Sequence, residues 1–187
     1  MARLPLLTAE NAGEEAKNIL AALPATLNIF RMMAHADTCF APQLQLGAAI
    51  LTRQELSHRD RELVILLAAR LERGDYEWHQ HCPIALGVGI TQPQIDALEQ
   101  LELDGQHFSE KERALLTFGR QVIENVRADG GAFATVKLHF SDREVVEMIL
   151  TVGFYMTMAR LTEATETELD AADGVKVFEA ARSAADA

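Results

Sequence analysis

The sequence predicts an all-α fold, because helix-start signals recur along it and its apolar residues follow helical spacing. Four segments open with Ser or Thr, followed three residues later by a side chain that can bond back to the first amide. This capping-box pattern begins at Ser57, Thr91, Ser109 and Ser141, with the short Asp60 making the first the weakest. Each start precedes helix-favouring sequence, so we expect helices joined by short connections.

The individual helices follow from these starts and from the positions of proline and glycine. Pro24 ends the first predicted helix, Pro42 suits the first turn of the third, and Gly74 breaks the fourth. Pro83 predicts a kink or a last turn in the fifth helix. The predicted helices cover about 9–23, 25–36, 42–53, 57–73, 75–88, 91–101, 109–128, 132–138 and 141–160, with another after residue 174.

Length and composition indicate one domain in a soluble class of protein. The 187 residues are enough for a substantial core. We interpret 1–187 as a single helical domain with an N-terminal helical arm at 1–45, a motif-bearing core at 55–100 and a tail at 161–187. Two helices, at 63–69 and 145–159, are apolar nearly all round, which predicts that other helices or another subunit cover them.

Charge and cysteine content narrow the classes of partner. A formal charge of −11 argues against binding nucleic acid or an anionic membrane surface. Cys39 and Cys82 are too few for a disulfide scaffold and lack C-x-x-C spacing. Pro5 interrupts the start before a signal-peptide core can form, and the apolar stretch 148–159 is too short to cross a bilayer. We therefore expect a cytoplasmic protein.

The stretch 74–85 concentrates the reactive side chains, with two carboxylates, two histidines, a cysteine and the only tryptophan. Glu77 and His81 are four residues apart, so on a helix they share a face and the carboxylate can bond the imidazole. Such a pair suits general acid/base catalysis, although the same spacing also occurs in solvated surface pairs. His79 points about 200° away from His81. A regular helix therefore cannot bring both histidines to one metal ion, so we expect no metal site. We expect no other cofactor either.

The wider pattern around these residues resembles a known family. Glu62, then Glu77-x-x-x-His81-x-x-x-Ala85-x-x-x-Gly89, is similar to the carboxymuconolactone decarboxylase superfamily, which includes the alkylhydroperoxidase D-like proteins. The resemblance covers about residues 55–100. Counting back from His81, the two redox cysteines of the peroxidase branch fall on Gly74 and Glu77. Both thiols are absent, so the disulfide-cycling mechanism lacks its nucleophile.

The resemblance implies a compact multi-helix bundle of the alkylhydroperoxidase D-like type, assembled as trimers or hexamers. It implies that the helix carrying Glu77 and His81, here called the motif helix, lies near subunit contacts. The chain exceeds the compact decarboxylases by roughly its first 40 residues. That segment could wrap a partner subunit or line the pocket.

We interpret the protein as a lyase of the carboxymuconolactone decarboxylase type, acting by proton transfer on a small carboxylated or lactone-like substrate. His81 would be the general acid/base, Glu77 would orient it and Glu62 would relay or share the proton. Tyr76 and Trp78 are either packing residues or walls of the substrate pocket.

Two alternatives remain at this stage. One is the antioxidant peroxidase activity that the family label of peroxiredoxin suggests, which in this chain would have to use Cys82. The other is a non-catalytic oligomeric binding protein in which the Glu and His residues form a buried structural network.

Overall fold

The computed structural model describes residues 1–185, and they form ten helices with no strand among them. The all-α prediction is confirmed. The helices are α1 (Glu14–Ala22), α2 (Asn28–Met33), α3 (Asp37–Thr52), α4 (His58–Glu72), α5 (Asp75–Gly87), α6 (Gln92–Glu99), α7 (Glu110–Asn125), α8 (Gly130–Lys137), α9 (Asp142–Thr165) and α10 (Gly174–Ala185).

Helix α4 is the centre of the molecule. Its apolar run 63–69 is buried, as expected for a helix without a wet face, and it packs against α5, α7 and α9. The main hydrophobic core forms around it. Residues 60–69 of α4 are all buried, so the polar side chains Arg61 and Glu62 within this stretch are removed from bulk water.

The capping pattern predicted from sequence is present in the structure. The Ser109 and Ser141 hydroxyls accept the amide N–H groups of Glu112 and Glu144, whose carboxylates bond back to the cap amides at 2.8 Å. At Thr91 the side-chain oxygen of Gln94 accepts the cap amide N–H at 3.1 Å. These caps explain why the starts of α6, α7 and α9 could be read from sequence.

Two N-terminal helices begin at positions other than those predicted. Helix α3 starts at Asp37, so Pro42 lies inside it and not in its first turn. Helix α1 starts only at Glu14, where the Asp37 carboxylate accepts the Ala16 amide N–H at 2.7 Å. Gly13 leaves room for this carboxylate, because a Cβ there would lie 2.5 Å from it. The cap of α1 thus comes from another helix, which no local pattern reveals.

The N-terminal and C-terminal segments pack onto the same molecule. Helix α1 packs on α3, α2 on α9, and α10 on both α3 and α5. A second hydrophobic cluster joins the arm 1–45 to Tyr76 of α5 and Met158 of α9. Between these segments and the motif helix lies a cavity.

Helix α9 extends to Thr165, beyond its predicted end at about residue 160. By length and composition alone it could cross a membrane, but half of its most apolar stretch is buried against the rest of the chain. A buried core helix of a protein without membrane spans can have the same length and composition. The helix therefore carries no membrane assignment.

Candidate functional site

A buried carboxylate from α4 holds the motif histidine. The Nδ1 atom of His81 lies 2.8 Å from Oε2 of Glu62, whose side chain is fully buried, while His81 is 8% exposed. The Arg61 guanidinium contacts the other oxygen of Glu62 at 3.2 Å. A carboxylate paired with arginine can only accept, so Nδ1 carries the proton, and in the neutral ring Nε2 is then the nitrogen with the lone pair.

Glu77 does not hydrogen-bond His81, contrary to the sequence prediction. Both carboxylate oxygens of Glu77 instead lie 3.2 Å from the Thr162 hydroxyl of α9. The helical spacing does put both residues on the cavity side of α5, but α4 crosses there and Glu62 takes the ring nitrogen. Gly74 leaves room for the Glu77 carboxylate, since a Cβ there would lie 2.7 Å from Oε2.

The environment of Glu77 suits proton exchange near neutral pH. Burial raises the pKa of this carboxyl to about 7, against the opposing effects of its backbone and Thr162 hydrogen bonds. Only 2% of the residue is exposed, so the solvated-surface interpretation of the Glu77–His81 pair is wrong. A carboxyl group with such a pKa can donate or accept a proton without a large penalty.

Both groups open onto an apolar cavity of about 360 Å³. Its walls come from α2, α3, α5, α9 and α10 and from the segment between α1 and α2. The polar side chains among the lining residues are Gln43, Tyr76, Glu77, Gln80, His81 and Tyr155. The volume falls in the range of small-molecule sites, and the few polar groups lie among apolar walls as such sites require.

Tyr155 of α9 is a site residue that the sequence did not reveal. Its ring meets the His81 ring edge-on, with centroids 4.8 Å apart. Burial raises the pKa of the Tyr155 phenol well above its ordinary value. Among the hydrogen bonds of the described residues none involves its hydroxyl. Tyr155 therefore offers a proton donor without a partner to a molecule in the cavity.

Of the two aromatic residues expected to wall the pocket, the structure brings only Tyr76 to it. The Tyr76 hydroxyl donates to Asp170 at 2.9 Å and accepts the Ile29 amide N–H at 3.2 Å. Trp78 is not among the lining residues and packs against the main core. Two residues along a helix turn a side chain by about 200°, so Tyr76 and Trp78 face opposite ways.

The C-terminal segment closes the cavity through hydrogen bonds to α5. The Gln80 amide donates to Asp170 at 2.9 Å and to the Ala171 carbonyl at 3.0 Å, and it accepts the Gly174 amide N–H at 2.9 Å. A Cβ on Gly174 would lie 3.1 Å from the Gln80 side chain. These contacts hold α10 over the motif helix.

The cysteines lie outside the cavity lining. Cys82 is half-buried against the main core, and burial raises the pKa of its thiol to about 11, while Cys39 is exposed. The raised pKa makes Cys82 a poor thiolate nucleophile. Within residues 1–185, no three His, Cys, Asp or Glu side chains are grouped as metal ligands would be.

Fold and site together define a class: a helical bundle whose motif helix presents a buried acid/base pair to an apolar cavity. Residues 40–121, which contain Glu62, Glu77 and His81, match the carboxymuconolactone decarboxylase family. No curated protein matches the chain.

Several solved structures share the fold. An uncharacterised peroxidase-related protein from Silicibacter sp. TM1040 superimposes with a TM-score of 0.77 at 15% identity, covering 91% of this chain and 92% of its own. A second uncharacterised peroxidase-related protein, described as an alkylhydroperoxidase AhpD core, from Ralstonia eutropha JMP134, gives a TM-score of 0.77 at 16% identity, covering 97% of this chain and 96% of its own. A variant of the debrominase Bmp8, in complex with 2,3,4-tribromopyrrole, gives 0.73 at 14% identity, with 97% and 100% covered.

These matches confirm the resemblance noted in the sequence. Residues 40–121 match the carboxymuconolactone decarboxylase family, and the chain shares its fold with solved AhpD-like proteins.

Proposed function

We propose that the protein is a cofactor-independent enzyme that moves protons on a small organic molecule, isomerising or decarboxylating it. One observation carries this proposal. Glu62 holds His81 through Nδ1, and His81 also lines the apolar cavity. A histidine fixed in one tautomer and shielded from bulk water is the arrangement that general acid/base catalysis uses.

His81, Tyr155 and Glu77 have separate roles in the proposed isomerisation. In an isomerisation, Nε2 of His81 takes a proton from the carbon next to a carbonyl, and the electron pair moves onto the carbonyl oxygen. The Tyr155 hydroxyl donates a hydrogen bond to that oxygen, because the raised pKa keeps the phenol protonated. Protonation of another carbon then completes the shift. The imidazolium returns its proton directly, or Glu77 donates one and regains it from the imidazolium, so that the protein is left unchanged.

In a decarboxylation the same groups act in a different order. The carbon–carboxylate bond breaks, carbon dioxide leaves and the electron pair forms a dienolate. A proton from Glu77 or His81 then adds to carbon. The pKa of Glu77, about 7, permits this donation near neutral pH.

The peroxidase alternative has less support in this chain. The relatives from Silicibacter and Ralstonia carry the words peroxidase-related in their names, but no cysteine lines the cavity here. Peroxidase chemistry of the family type needs a thiolate, and burial raises the pKa of the Cys82 thiol to about 11. The debrominase complex with tribromopyrrole supports a related point, namely that a relative of this fold binds a small ring compound.

The proposal is tested by hydrogen exchange at carbon. A panel of small lactones and enolisable ketones is incubated with the protein in D₂O, and deuterium incorporation is followed by NMR. We expect catalysed incorporation that falls by about 10²–10⁴-fold in His81→Gln. His107→Gln is the matched control, since His107 is an exposed histidine outside the cavity.

Two results would contradict the proposal. One is incorporation at the parent rate in His81→Gln with the control unchanged. The other is no incorporation by the parent protein into any compound that binds the cavity, which would favour a non-catalytic binding protein.

A further inference from the structure

We infer that the cavity selects neutral molecules and excludes carboxylates, so that the substrate is an uncharged lactone, ketone or comparable ring compound. This inference rests on the proposed function and names the substrate class for the same site. It departs from the carboxylated substrate that the sequence resemblance suggested. Of the two routes in the proposed function it keeps only the isomerisation, because a decarboxylation needs a carboxylate.

The first argument is the composition of the lining. Of the described residues that form the cavity wall, none is lysine or arginine. The ionisable groups that do line it are Glu77, His81 and the two tyrosines. An anionic ligand would meet a carboxyl group and no permanent positive charge, whereas anion sites in proteins are built from arginine, lysine or clustered amides.

The second argument concerns the nearest arginine behind the site. Arg61 is only 1% exposed and is not part of the cavity wall. Its guanidinium is occupied by Glu62 at 3.2 Å, by the Leu51 carbonyl at 2.6 Å and by Nδ1 of His58 at 2.7 Å. Its charge offsets that of Glu62, so it is not free to bind a carboxylate in the cavity.

The third argument is desolvation. A carboxylate that enters an apolar cavity loses its hydration and gains nothing comparable unless a cation or several donors meet it. The donors of the lining that have no partner among the described residues are the Tyr155 hydroxyl and the Gln43 amide, and two neutral donors do not replace the hydration shell of an ion. The same hydroxyl suffices for one carbonyl oxygen, which needs only one or two hydrogen bonds.

Shape and chemistry agree on a ring-sized ligand with its polar group at one end. The volume of about 360 Å³ admits a small ring. Leu27, Phe30 and Met33 supply apolar walls from the N-terminal segment, and Val177 supplies one from α10. A lactone or ketone can therefore place its carbonyl near His81 and Tyr155 and its hydrocarbon part against these walls.

The test compares matched ligands that differ in charge. Methyl benzoate and acetophenone are titrated against the purified protein at pH 7 by calorimetry, with benzoate as the anionic counterpart. We expect both neutral probes to bind at least about tenfold more tightly than benzoate, because only benzoate must be desolvated as an ion.

Variants locate the binding. Ala48 and Ala181 line the cavity from α3 and α10, so Ala48→Phe or Ala181→Phe should fill it and abolish binding of the neutral probes. Leu46→Phe is the control on α3, because Leu46 is exposed and outside the lining. Thermal unfolding verifies that each variant is folded.

Benzoate binding as tight as that of methyl benzoate, or no binding of either neutral probe, would overturn the inference. So would neutral binding that both filling variants leave intact. These failures are distinct from failure of the proposed function. Tight benzoate binding with exchange that depends on His81 refutes only the inference, whereas neutral binding without such exchange refutes only the enzymatic role.

Discussion

The Glu62 carboxylate serves two buried groups at once, with Arg61 on one oxygen and His81 on the other. Removing water from three ionisable side chains is costly, and these three offset the cost by contacting one another. The result is an imidazole whose orientation is set by a different helix from its own. Glu77, which the sequence placed in that role, is left free to hold a proton of its own.

The raised pKa of Glu77 predicts a pH dependence of stability. The folded pKa of about 7 lies above the ordinary value of 4.5, so between these values the folded chain binds a proton that the unfolded chain has released. Stability contributed by this group is fully present below about pH 4.5 and is lost as pH rises through 7, by roughly 3 kcal/mol. Glu77→Gln should flatten this part of the profile.

Urea unfolding of the parent and of Glu77→Gln from pH 5 to 8 measures this effect. Glu102→Gln is the control, because Glu102 is an exposed carboxylate. If the free energy of unfolding depends equally on pH in the parent and in both variants, Glu77 is ionised throughout this range.

Tyr155→Phe separates catalysis from folding. The change removes only a hydroxyl for which the described residues provide no partner, so the free energy of unfolding should shift by less than about 0.5 kcal/mol. Loss of a donor to a developing oxyanion lowers kcat by about 10²–10³-fold. Steady-state kinetics on any turned-over lactone or ketone gives kcat and KM separately, and an unchanged kcat would remove Tyr155 from the reaction.

The junction between α4 and α5 depends on the lack of a side chain at Gly74. Its Cβ would lie 2.7 Å from Glu77 Oε2 and 2.8 Å from the Ala159 Cβ of α9. Gly74→Ala should therefore destabilise the fold by about 1–3 kcal/mol through overpacking. Gly87→Ala, at the other end of α5, has no atom within 4 Å of the new Cβ and should be neutral or stabilising by up to about 1 kcal/mol.

Thermal or urea unfolding of the two glycine variants measures the difference. Equal stabilities would mean that α5 and α9 can move apart at no cost, and the tight packing of Glu77 against this junction would then be mistaken.

The helices themselves could be predicted well because their signals are local. Ser109 and Ser141 mark the starts of α7 and α9, because their caps form within four residues, and Gly74 separates α4 from α5. The start of α1 could not be predicted, because its cap is the carboxylate of Asp37. Local sequence specifies a helix end only when the partner groups lie in the same turn.

The site was predictable only in part, for a related reason. His81 and Tyr76 were identified because a single helix carries them, and both reach the cavity. Thr162, Tyr155 and Asp170 lie more than 70 residues further along the chain, in segments without a distinguishing pattern. Which carboxylate reaches the imidazole depends on how α4 crosses α5, and residue spacing does not contain that information.

Segments near both ends of the chain complete the cavity. Helices α2, α3 and α10 supply lining residues in addition to those of the motif helix α5. Among the described residues, α9 has an apolar face that stays uncovered. Val146, Ile149 and Leu150 of α9 are 41% to 55% exposed and share one face, where a Cβ on Gly153 would meet no atom within 4 Å. We propose that this face is covered by other copies in a trimer or hexamer.

Light scattering coupled to size-exclusion chromatography tests the assembly. The parent should elute as an oligomer, and Leu150→Glu should shift the mass towards the monomer, because a charge on the covered face would be desolvated. Leu4→Glu is the control, an exposed leucine near the N-terminus. A monomeric parent, or an oligomer unaffected by Leu150→Glu, would contradict the proposal.

The most direct measurement is a long-range ¹H–¹⁵N NMR spectrum of the His81 imidazole at neutral pH, recorded without and with acetophenone. The structure predicts a proton on Nδ1, where Glu62 lies 2.8 Å away, and an Nε2 signal that changes when the ligand enters the cavity. A proton on Nε2 of the neutral ring, or an Nε2 signal indifferent to a bound ligand, would contradict the assignment of His81 as the proton-transferring group.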